Sequence, residues 1–88
     1  LRTTTLNAVS PSQIAYVVPS PGGVGIKALV VRNNGPTDIY IGGHNVDNNG
    51  LTTGILIKSG TRIKFAFSGE LWAIAASGSP TVTTDQIY

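Results

Sequence analysis

Residues 34–50 read NGPTDIYIGGHNVDNNG, and residues 69–78 read GELWAIAASG. Two Asn-Gly pairs, a Gly-Gly and a closing Ser-Gly leave only very short alternating segments between them. Such segments suit strands and are too short for a packed helix. A chain with turns this close together buries its apolar side chains by building a compact all-β shell. Nothing in either stretch lines up acids, bases or metal ligands.

The pattern continues on both sides. Residues 13–18 (QIAYVV) predict a strand, closed by Pro19, Ser20, Pro21, Gly22 and Gly23, which no central strand accommodates. Residues 26–32 (IKALVVR) put Ile26, Ala28 and Val30 on one face and Lys27, Leu29 and Val31 on the other. A strand apolar on both sides belongs at the centre of its sheet. Residues 33–36 (NNGP) predict a turn and 38–41 (DIYI) a short strand; 44–50 predict a polar loop anchored by Val46, and 54–58 (GILIK) a further strand. Residues 62–67 (RIKFAF) have the cleanest period of two, with Ile63, Phe65 and Phe67 inward and Arg62 and Lys64 outward. Residues 70–76 (ELWAIAA) and 81–88 complete the series. The former is the one segment with a helical alternative, which its flanking Ser-Gly pairs oppose. About eight strands at spacings of roughly ten residues predict a small antiparallel β-sandwich or jelly-roll-like barrel, with the order of connections left open. Residues 1–12 read as an N-terminal arm or edge strand, and residues 13–88 as the sandwich.

At 88 residues without cysteine, the chain is one small domain with no disulfide or zinc staple. Small scaffolds of this kind gain stability by oligomerising or by docking on something larger. Only 11% of the residues are charged, against about a quarter in an ordinary soluble domain. A surface supplied instead by Thr, Ser, Asn and Gly suits a protein held inside an assembly, or an extracellular β-domain. Arg2, Lys27, Arg32, Lys58, Arg62 and Lys64 are scattered along the chain, so no nucleic-acid partner is expected. Apolar runs such as 28–31 and 71–76 fall far short of the roughly 20 residues a bilayer requires, and no membrane partner is expected. Arg2 is followed by threonines instead of an apolar core, so the opening does not read as a signal peptide.

The chemistry is sparse. One histidine, His44, and four carboxylates, Asp38, Asp47, Glu70 and Asp85, are spread through the chain, and no Gly-x-Ser-x-Gly elbow presents a nucleophile. An enzyme is not expected, nor a cofactor. Residues 45–50 (NVDNNG) place oxygen side chains at alternate positions before a glycine, like the first half of a calcium-binding loop. The twelfth position is Leu56 where a bidentate Glu is needed, which favours an Asn-rich turn over a metal site. Trp72, the only tryptophan, shares a strand face with Glu70 and Ile74, opposite Leu71, Ala73 and Ala75. That places it in a second buried layer, at an interface, or as a platform for stacking a sugar. The Thr-rich segments LRTTTL and TVTTDQIY suit strand addition to another chain, or pairing with each other inside the domain.

The order N-G-x-x-x-I-Y-I-G-G-x-x-V, N-G-L, S-G-T-R-I and G-E-L-W-A-I-A-A-S-G resembles small β-sandwich structural domains of tailed-bacteriophage virions. Tyr40-Ile41-Gly42-Gly43, Val46, Asn49-Gly50, Gly60 and residues 71–78 occupy the corresponding places, with Thr81-Val82 as the tail. The match spans about residues 30–82. The resemblance implies a virion structural role: head decoration or cement, a projecting fibre, or a tail component. It also implies symmetric oligomers, trimers or higher, on a shell, and brings no catalytic residues. The reading is a non-enzymatic decoration protein on the capsid surface that binds the major capsid protein and its own copies. Leu1, Arg2, Thr3, Thr4, Thr5 and Leu6 are the expected contact. The alternative is a receptor- or carbohydrate-binding module of a tail fibre or spike that uses Trp72.

Overall fold

A computed structural model describes residues 1–17, 28–48 and 54–87. The expected turn at 19–23, the start of the strand at Ile26 and Lys27, and the second Asn-Gly pair lie outside the described residues. Eight strands occur: β1 (Arg2–Thr5), β2 (Ser12–Val17), β3 (Ala28–Gly35), β4 (Ile39–Gly42), β5 (Ile55–Ile57), β6 (Arg62–Phe65), β7 (Gly69–Ala75) and β8 (Thr81–Ile87). No helix occurs among the described residues, and ELWAIAA is strand.

The strands form two four-stranded sheets, in the orders β1-β8-β3-β6 and β2-β7-β4-β5, with every pairing antiparallel. The partners nest: β1 with β8, β2 with β7, β3 with β6, β4 with β5. One long antiparallel ribbon, folded over on itself, therefore becomes a jelly roll. The alternation in the sequence dictates what lies between the sheets. Leu29 and Val31 of β3 and Val82 of β8 meet Ile39 and Ile41 of β4, Ile57 of β5, and Leu71 and Ala73 of β7, all buried. Ile63, Phe65 and Phe67 pack against that core, as their period of two predicts.

Two departures from simple alternation shape the molecule. The register of β2 shifts between Gln13 and Ala15, so Ile14 and Ala15 are both buried where strict alternation would expose one. A bulge inserts the extra residue. β3 also runs on through Asn33 and Asn34 to Gly35, which were expected in a turn, with a second shift between Asn33 and Gly35. The cause is Asn33, fully buried at 0% exposure, whose side chain takes over the bonding of the next loops. Gly35 follows at φ +81°, and a Cβ there would stand 2.5 Å from the Ser59 hydroxyl oxygen. The positive φ favours glycine, and a Cβ would also force the Ser59 hydroxyl to move.

Candidate functional site

The carboxylates fall in separate places. Asp38 immediately precedes β4, and its Oδ1 accepts a bond from Ser59 N at 2.9 Å. Asp85 lies on β8, 3.7 Å from the N-terminal ammonium. Glu70 lies on β7 opposite Tyr16 of β2, and Asp47 and His44 belong to the loop after β4. Among the described residues no three His, Cys, Asp or Glu side chains gather to hold a metal ion.

The Asn-rich loop works as a latch. Val46 N donates to Gly43 O at 3.0 Å, and the buried Val46 side chain packs over Gly42. Asn48 Nδ2 then donates to Ala8 O at 3.0 Å and to Ala75 O at 2.8 Å. The loop thereby joins the end of β7 to the β1–β2 connection. Asn49 and Gly50 lie outside the described residues.

Trp72 is flanked on the outer face of its sheet by Gln13 of β2 and Gly42 of β4, with Val46 packed over Gly42. The indole is half-buried, and its Nε1 is buried with no hydrogen-bond partner. Its strand neighbour Ile74 is only 3% exposed on the same outer face. Trp72, Ile74 and Val46 thus belong to a second apolar layer outside the main core.

The Thr-rich ends pair with each other. Arg2, Thr3, Thr4 and Thr5 of β1 lie opposite Thr84, Thr83, Val82 and Thr81 of β8. Leu6 is 1% exposed in the domain's own core, its N–H donating to Pro80 O at 2.8 Å, so its side chain is closed to a partner. Leu1 is 92% exposed; Thr3 and Thr5 face solvent, and Arg2 donates to Gln13 O at 3.0 Å. β1 is an edge strand, so its outer backbone groups have no strand partner among the described residues.

The outer face of the first sheet carries what the sequence did not gather. Thr3, Thr83, Arg32 and Arg62 form one cross-strand row, and Asp85, Val30 and Lys64 form the next. Asn34 Nδ2 spans two hydroxyls, Thr83 Oγ1 at 2.8 Å and Thr81 Oγ1 at 3.3 Å. Three of the six Lys and Arg residues, scattered in sequence, therefore share one face. The strand order that unites them could not be read from spacing.

At one end of the sandwich, Ile41, Ile55, Phe65, Phe67 and Leu71 line an open apolar concavity of ≈ 440 Å³ among the described residues. The Phe65 and Phe67 rings meet edge to face at 5.8 Å. No protein family matches the chain, and no curated protein or solved structure matches it.

Proposed function

We propose that this protein is a non-enzymatic structural protein of a tailed-bacteriophage virion, a decoration or cement protein that binds the head shell and its own copies. The observation that carries this reading is β1. It is a four-residue, Thr-rich edge strand, bonded to β8 on its inner side and, among the described residues, open on its outer side, in a chain with only 11% charged residues. Such an edge adds strands from a neighbour at little desolvation cost. Leu1, Arg2, Thr3 and Thr5 supply the contact, while Leu6 holds the strand to its own domain. A ligand that binds only the assembled shell stabilises that shell by mass action.

The alternative is a tail-fibre or spike module that stacks a sugar on Trp72. Less supports it, because the indole nitrogen that would donate to a sugar hydroxyl is withdrawn from solvent. The test is the copy number of this chain in purified particles, together with the heat resistance of shells stripped of it and then resupplied. Decoration predicts copies in proportion to shell subunits and restored resistance. A handful of copies per particle, or no change on resupply, sinks the reading.

A further inference from the structure

β6 is hydrogen-bonded to β3 on one side and, among the described residues, to no strand on the other. The bond from Asn33 N to Thr61 O, 2.9 Å, sets the phase of that ladder. The Thr61 carbonyl and the backbone groups of Ile63 and Phe65 therefore turn toward β3, so Arg62 and Lys64 turn theirs to the edge that no described strand occupies. The same two residues send their side chains to the outer face, where Arg62 stands directly opposite Arg32. In this phase Arg32 and Arg62 are a non-hydrogen-bonded pair, whose side chains come closest. Like charges so placed destabilise a sheet.

All three cations are exposed, and among the described residues no carboxylate pairs with any of them. The acid nearest in register, Asp85, lies opposite Val30 and pairs with the N-terminal ammonium. Charge on an edge strand guards against aggregation, which accounts for Arg62 and Lys64. It does not account for Arg32, which lies on the interior strand β3.

We propose that the β3–β6 outer face and the free edge of β6 form a docking site for an extended acidic segment of a partner protein. Added as a strand, that segment bonds to the backbone of Arg62 and Lys64. Its outward side chains then fall beside theirs, so carboxylates at alternate positions meet each cation in turn. Arg32, about 10 Å from the added strand at the usual strand spacing, reaches the same carboxylates with its long side chain. A second copy of this chain fits poorly. β6 against β6 would oppose cation to cation, and the sequence has no acids two residues apart. Nucleic acid would leave the edge's backbone groups unused and release few counterions. The inference stands on register and charge, and holds whether or not the partner belongs to a virion.

The experiment titrates the labelled protein with three probes: a short Thr-rich peptide with glutamates at alternate positions, its glutamine counterpart, and a single-stranded oligonucleotide. The glutamate peptide is expected to shift the amide resonances of Arg62 and Lys64 and to bind more weakly as salt rises. Replacing all three cations (Arg32→Gln, Arg62→Gln, Lys64→Gln) weakens it about tenfold or more without lowering the melting temperature, because a like-charge pair is relieved. Arg32→Gln alone weakens binding with the edge strand unchanged. Equal binding of the glutamate and glutamine peptides, shifts mapping to other strands, tighter binding of the oligonucleotide, or no binding by any probe overturns the proposal.

Discussion

The two ends of the sandwich are built on opposite principles. At one end, the β3–β4, β5–β6 and β7–β8 connections are tied by polar bonds around Asn33. Its Nδ2 donates to Thr37 O at 2.8 Å and Ile57 O at 2.9 Å, while its Oδ1 accepts from Gly35 N at 2.8 Å. Its backbone bonds Thr61 and Gly60, and Thr37 Oγ1 reaches Ser77 O at 2.5 Å. At the other end, the described residues leave an apolar concavity whose wall includes Ile55, 56% exposed. A domain this small, without cysteine, concentrates its rigidity at one end with a satisfied buried network. The other end keeps apolar surface in contact with water.

Substitutions at each end test that contrast. Asn33→Ala should have the largest effect, because it orphans buried groups of Thr37, Ile57 and Gly35, at about 3 kcal/mol in total. Chemical denaturation would show that loss, and the melting temperature would fall on the order of 15 °C. A cost under about 1 kcal/mol would mean that the network is not what closes that end. Phe67→Ala removes a half-buried ring from the apolar end and should cost about 1.5 kcal/mol by the same measurement. If it costs as much as Asn33→Ala, the two ends are equally rigid. Ile55→Thr should change stability by less than about 0.5 kcal/mol, since the side chain is largely in water and threonine suits a strand.

Most strands were legible because their side chains alternate, and alternation depends only on the pleat. The cleanest case, Arg62 to Phe67, places Ile63, Phe65 and Phe67 against the core as expected. The bulge at Ile14 was not legible, since a bulge answers to the strand opposite and not to its own sequence. Asn33 reads as a turn residue, because the pattern of a turn and that of a buried amide that bonds turns are the same in sequence. The cations lie scattered in the sequence for a similar reason. Arg32 and Arg62 become neighbours only through the pairing of β3 with β6, and spacing alone does not specify that pairing. The two open alternatives for the Thr-rich ends were local in composition and became distinct only through the β1–β8 register.

The place of β8 between β1 and β3 bears on how the chain is made. A polypeptide emerging in order from the ribosome presents β1 and β3 long before residues 81–87 exist to join them. For that interval both strands keep naked edges on the side β8 will occupy, the condition under which nascent β-proteins stick to one another. Closing the sheet then requires contacts between the two ends of the domain, the kind of long-range step that slows folding to milliseconds or longer. β8, made after both of its neighbours, is the wedge that makes β1 part of a sheet.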